Sequence, residues 1–141
     1  MNTEKYYDWA PLLLRLGIGL IFVYAGWGKI TGIEGTAEFF GNIGIPLAGV
    51  MAWVVAIVEF VGGLMILTGF KITVPALLLA IVMIVALFTT KMGEGFRAAR
   101  LDMLLLFASL ALAIIGSGKY SLDAMLNKGK SDEEVKKNRE L

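Results

Sequence analysis

The sequence predicts an all-α fold: a polytopic membrane protein built as a four-transmembrane-helix bundle. Three observations lead there. Of the 141 residues, 57% are hydrophobic and only 18% charged, and the mean hydropathy is +0.75, too apolar for an ordinary soluble domain. The apolar residues gather in four long stretches divided by segments rich in glycine, proline and charge, and about 20 apolar residues let a helix cross the hydrocarbon core. Finally, the few charges inside these stretches share helix faces with small residues, where a neighbouring helix can approach them.

The first element is a short polar lead, residues 1–10, in which Tyr6, Tyr7 and Trp9 follow the pattern of an interfacial aromatic belt. A first membrane helix is expected over residues 11–30, with Pro11 suited to its first turn. A signal peptide is the rival reading. The apolar part is long for one, the leader is mixed in charge, and no small-residue cleavage site follows. Arg15, Gly19, Phe22, Gly26 and Lys29 fall on one stripe of this helix, with the two basic residues about 21 Å apart at 1.5 Å per residue.

Residues 31–46 form a glycine-rich connection. Its middle, 36–42, reads as a short interfacial helix with Phe39 and Phe40 dipping into the membrane. The second membrane helix, 47–68, ends at Gly69. The apolar stretch 51–70 carries one charge, Glu59, near its middle. A carboxylate at that depth costs about 2.5–3.5 kcal/mol on insertion scales, so it needs a partner, a proton or a water-filled cavity. Ala52, Ala56, Glu59, Gly63 and Ile66 share a face, which points Glu59 at a neighbouring helix and away from lipid.

The third helix, 73–90, tolerates Pro75 in its first turn and holds no charge, which marks it as the most lipid-facing. Residues 91–100 are a charged loop or an amphipathic first turn. The fourth helix, 98–116, places Asp102, Leu106, Ser109, Ala113 and Gly116 on one face. Residues 116–123 leave the membrane. The glycines at 116 and 118 lack the strand and third glycine of a nucleotide-binding fingerprint and end a helix instead. The expected organisation is a transmembrane domain, 1–123, and a charged cytoplasmic tail, 124–141, disordered or a marginal surface helix. Lys and Arg are more numerous on the side holding both termini, which the positive-inside rule places in the cytoplasm.

Composition also removes whole classes of function. The chain has no cysteine and no histidine, hence no disulfide, no thiol redox chemistry, no Cys/His zinc site and no His-ligated haem. No carboxylate cluster suggests a metal. A net charge of +1 does not fit a basic nucleic-acid binder.

The candidate site residues are therefore Arg15, Glu59, Lys29 and Asp102. Counted from the outer helix ends, Arg15 lies about fifteen residues in and Glu59 about twelve, a difference of about 4–5 Å, so an Arg15–Glu59 ion pair is expected deep in the bundle. Lys29 and Asp102 are level at the outer mouth, near Glu34, Glu38, Glu94, Arg97 and Arg100, and form the second expected pair. Such pairs either fix helix register or mark a functional site. Close packing accounts for the glycines without any ligand.

Four segments in order, LLLRLGIGLIFVYAGWGKITG (12–32), AEFFGNIGIP (37–46), VEFVGGLMILTGF (58–70) and GSGKYSLDA (116–124), resemble the DoxX family of small bacterial and archaeal membrane proteins. Arg15, Lys29 and Glu59 fall where that family's pattern places charge. The resemblance implies a four-helix bundle with cytoplasmic termini and a redox association, since such proteins include a subunit of a thiosulfate:quinone oxidoreductase and membrane partners of sulfur-transfer and superoxide-handling enzymes. The wider clan is linked to cysteine chemistry, which this cysteine-free chain cannot perform itself.

The leading expectation is a plasma-membrane subunit or partner of a quinone- or sulfur-linked oxidoreductase, binding a lipophilic ligand, such as a quinone, near Glu59. Two other readings stand beside it: a small proton-coupled transporter built as a dimer, and a non-catalytic anchor that recruits soluble redox enzymes through the tail. The expected partners are the lipid bilayer, soluble redox or sulfur-transfer enzymes and a second copy of the chain. Nucleic acid is not expected.

Overall fold

The computed structural model describes residues 4–91 and 95–141. Glu94, expected at the outer mouth, lies outside the described residues, as do Met92, Gly93 and the first three residues of the lead. The order of elements is α1 (Glu4–Tyr7), α2 (Trp9–Thr31), α3 (Ile33–Asn42), α4 (Ala48–Thr68), α5 (Thr73–Ala86), which runs on into a π-helical turn (Leu87–Lys91), α6 (Phe96–Ile115) and α7 (Leu122–Glu140). Among the described residues there is no strand. Among the described residues three helices, α2, α4 and α6, are long and apolar enough to cross a membrane, and α5 is a shorter apolar helix.

Helix ends follow local chemistry. Gly69 takes the left-handed conformation, φ 73°, which suits a residue without Cβ, and its N–H and that of Phe70 close the end of α4 on the carbonyls of Ile66 and Met65. Ser121 starts α7 by accepting a hydrogen bond from the Ala124 N–H at 3.2 Å.

α2 and α4 pack antiparallel with their backbones in close approach. A Cβ on Gly26 would collide with the Phe60 backbone, and one on Gly63 would lie 2.8 Å from the Val23 amide nitrogen. Further along, Gly19 lies against Leu67. This register carries a consequence for the site. At the end remote from the termini α2 stops while α4 extends for further turns, and α3 packs over that step. The ends of the two helices on that side are therefore not level.

The core, built around Ile18, Phe22, Ile66, Ile72, Leu79 and Leu112, lies between α2, α4, α5 and α6. Two expectations need correcting. α5 is not simply lipid-facing: Pro75, Ala76, Leu79, Ala80 and Met83 are buried between α4 and α6, because an apolar residue suits lipid and protein interior equally. On α6 the buried residues are Ala99, Leu105, Ser109 and Leu112, while Leu106 and Ala113 of the expected stripe are partly buried against the same core, so the inward face is wider than the expected stripe and is centred nearer Leu105 and Leu112. α7 is helical and buries no residue.

Candidate functional site

Among the described residues, the two buried charges, Arg15 and Glu59, lie at different levels, Arg15 beside the end of α4 and Glu59 midway along that helix. Arg15 on α2 is 2% exposed. Its Nε donates to the Ile66 carbonyl at 3.0 Å and its Nη2 to that of Leu67 at 2.9 Å. Its Nη1 donates to the carbonyls of Ser117 and Tyr120 at 2.9 and 2.8 Å. Four of the five guanidinium N–H groups thus close on backbone oxygens where α4 ends and where the loop after α6 turns, the Ile66 carbonyl accepting from Gly69 as well. Asp123 completes this clasp by accepting the Lys71 amide at 2.9 Å, while its own amide donates to the Gly69 carbonyl. The expected Arg15–Glu59 pair does not form. Extending the register of Gly19 against Leu67 brings Arg15 to Gly69, where a Cβ would lie 2.8 Å from Cζ.

Glu59 is also 2% exposed, and its carboxylate accepts from Lys29 Nζ at 2.6 Å. Lys29 therefore pairs with Glu59, across the α2–α4 contact, in place of the expected partnership with Asp102. Charge-assisted bonds of this length are the stronger kind. The Lys29 side chain keeps 28% exposure and the Glu59 side chain 3%, so the pair joins a buried carboxylate to the surface of the remote end.

The pair borders a cavity of about 430 Å³. Phe39, Phe40, Ile43 and Ile45 line it from α3 and its exit, Met51 and Val55 from α4, and Ile81, Val82, Met83, Val85, Ala86 and Thr89 from α5 and its π turn. Asp102 of α6 lies on the same wall. Three of the four candidates, Glu59, Lys29 and Asp102, are thus brought to one pocket, and Arg15 is placed elsewhere. Glu34, Glu38, Arg97 and Arg100 are exposed and none of them lines the cavity.

The arrangement is a greasy chamber with a charged corner. It offers an ammonium as donor, a carboxylate as acceptor and apolar walls around them, the usual make-up of a site for a small amphiphile. Of the two phenylalanines expected to dip into the membrane, Phe39 is about half exposed and Phe40 is not. Phe40 is buried, and the aromatic pair in AEFFGNIGIP was the available signal for a pocket roof.

The model of the family described as DoxX matches residues 10–92, a span that takes in Arg15, Lys29 and Glu59. The chain is 39% identical over 133 residues to "Putative oxidoreductase CatD" of Bacillus subtilis (strain 168), covering 94% of this chain and 98% of that one. It is 38% identical over 129 residues to "Inner membrane protein YqjF" of Escherichia coli (strain K12), covering 89% and 98%. It is 30% identical over 141 residues to "Inner membrane protein YphA" of the same organism, covering 87% and 99%. No solved structure matches the chain. With the family model covering more than half the sequence and relatives alike along nearly their whole length, the chain is a membrane protein of the DoxX family.

Proposed function

We propose that the protein is the membrane component of an oxidoreductase and holds a lipophilic carrier, a quinone, in the pocket beside Glu59. The observation that carries this reading is the Lys29–Glu59 pair at the corner of a largely apolar chamber of about 430 Å³, with Asp102 on the same wall. The residues fit such a head group. Lys29 can donate to a ring carbonyl, Glu59 can accept from a ring hydroxyl, and the side chains of Val55, Ile81 and Val85 suit an isoprenoid tail. A bound quinone would supply the electron carrier in a chain that has no cysteine or histidine. The chain's own part is to orient the head, exclude water from it and hold a proton at the Glu59 carboxylate. The name borne by the Bacillus relative agrees with a redox role.

In this reading α5 crosses the membrane as well. Residues 73–91 together run about 28 Å at 1.5 Å per residue, close to the hydrocarbon thickness of about 30 Å. That gives four crossings, with both termini cytoplasmic by the Lys and Arg count. α7, with no buried residue, is the element left for a soluble redox or sulfur-transfer enzyme to grip, which co-purification with and without residues 127–141 would test.

The direct test of the pocket is equilibrium binding of a short-tailed ubiquinone to the purified protein in detergent. Saturable binding that Val55→Trp abolishes, with melting unchanged, is the expected result. Absence of saturable binding to the intact protein would remove the quinone reading.

A further inference from the structure

We infer that the pocket is open to only one side of the membrane, the side opposite both termini, with one mouth to water at Lys29 and a second to lipid between α3 and α5. The ligand it takes is then a membrane-resident amphiphile drawn from the leaflet on that side, and any proton reaching Glu59 comes from the water on that side. The identity of the ligand rests on the proposal above. The sidedness does not.

Three observations converge. From Glu59, midway along α4, the pocket extends only toward the end remote from the termini: Lys29 lies near the end of α2, Phe40 on α3, Val55 early in α4, Val85 near the end of α5 and Asp102 early in α6. The opposite half is closed. From Glu59 to Ile66 the chain descends about 10 Å at 1.5 Å per residue, and at that level Ile18, Phe22, Ile66, Leu79 and Leu112 are all 4% exposed or less. Beyond them Arg15 and its four carbonyls fill the last turn. A protein interior packed in this way leaves no room for water. The exposed parts of the pocket, by contrast, are of two chemical kinds. Lys29 is partly exposed at a polar end, whereas Phe39, Ile81 and Val85, on the rim between α3 and α5, are each about half exposed and apolar. Water meets the first and acyl chains meet the second.

The absence of native cysteine makes the test clean. Single variants Lys29→Cys, Val55→Cys, Val85→Cys and Lys119→Cys are reconstituted into liposomes, and cleavage of exposed α7 by external trypsin identifies the molecules whose termini face outward. A charged, membrane-impermeant methanethiosulfonate added outside should modify Lys29→Cys and Val55→Cys only in molecules whose tail is protected. It should modify Lys119→Cys only in the trypsin-sensitive ones. Val85→Cys should react with a lipid-soluble pyrenyl maleimide in preference to the charged reagent. Val55→Cys keeps the ion pair, so the test survives if Lys29→Cys does not fold. Modification of Val55→Cys from the tail side at the same rate would overturn the inference, as would modification of Val85→Cys by the charged reagent alone. If the labelling is one-sided and the intact protein binds no quinone, the choice of ligand fails and the sidedness stands.

Discussion

Arg15 and Glu59 are equally buried, each 2% exposed, yet their surroundings are opposite in kind. Arg15 is enclosed by main-chain oxygens of fixed turns, with four hydrogen bonds, and does not line the chamber beside Glu59. Glu59 has one ionic partner, itself partly exposed, and borders a 430 Å³ chamber. Burial alone therefore does not separate a structural charge from a functional one in this protein. What separates them is whether the remaining valences are filled by the fold or left facing a space. An intramembrane charge is a functional candidate by default, and by that rule both qualify. By the accounting of partners, only Glu59 does.

The comparison is broken most forcefully at Arg15. Arg15→Met keeps the bulk but orphans the carbonyls of Leu67, Ser117 and Tyr120 and takes one of two donors from that of Ile66, each orphaned carbonyl at a cost on the order of 1 kcal/mol or more. The expected outcome is loss of most folded protein, read as a collapse of the monodisperse peak in size-exclusion chromatography. Arg15→Lys, with a single ammonium in place of a fork, should rescue only part of it.

Next in size is the helix contact that fixes the two ends relative to each other. Gly26→Ala places a Cβ against the Phe60 backbone, which cannot yield as a side chain would, and overpacking of this kind costs about 1–3 kcal/mol. A lowered melting temperature in detergent should accompany weakened quinone binding, because Lys29 and Glu59 sit across that same contact.

Glu59→Gln should cost less. Breaking a fully buried ion pair is destabilising by about 3–5 kcal/mol, but Lys29 can turn its ammonium to water, so about 1–2 kcal/mol is expected. Circular dichroism melting would measure it. A loss as large as that of Arg15→Met would mean that the two charges play the same structural part. The smallest effect belongs to α7. Removing residues 127–141, none of which is buried, should leave the melting midpoint unchanged, within about 0.5 kcal/mol of stability, provided the Ser121 and Asp123 contacts are kept.

Much of this was legible in the sequence because helix faces are periodic. The expected α4 face of Ala52, Ala56, Glu59, Gly63 and Ile66 is its buried face, and on α2 Arg15, Gly19, Phe22 and Gly26 are buried as one stripe. The pairing of charges was not legible, for two physical reasons. Periodicity gives the direction a side chain points but not how far one helix is offset along another, and here α3 covers a step that puts Lys29, not Arg15, at the level of Glu59. The partners of Arg15 are backbone carbonyls, which every residue carries and no residue type announces. The roof of the pocket was half legible. FF within a glycine-rich connection marked an apolar element at the interface, but whether a phenylalanine turns to lipid or inward is decided by the helix beneath it.

The most direct test of the central claim, that the Glu59 end is the site and the Arg15 end its frame, is a ligand-dependent melting measurement. Intact protein and Glu59→Gln are melted in detergent with and without a short-tailed ubiquinone at about 100 times its dissociation constant, where binding to the folded state alone adds about 2.7 kcal/mol. The account predicts a clear upward shift for the intact protein and none for Glu59→Gln, with the variant still unfolding cooperatively when no quinone is present. An equal shift in both proteins would contradict it.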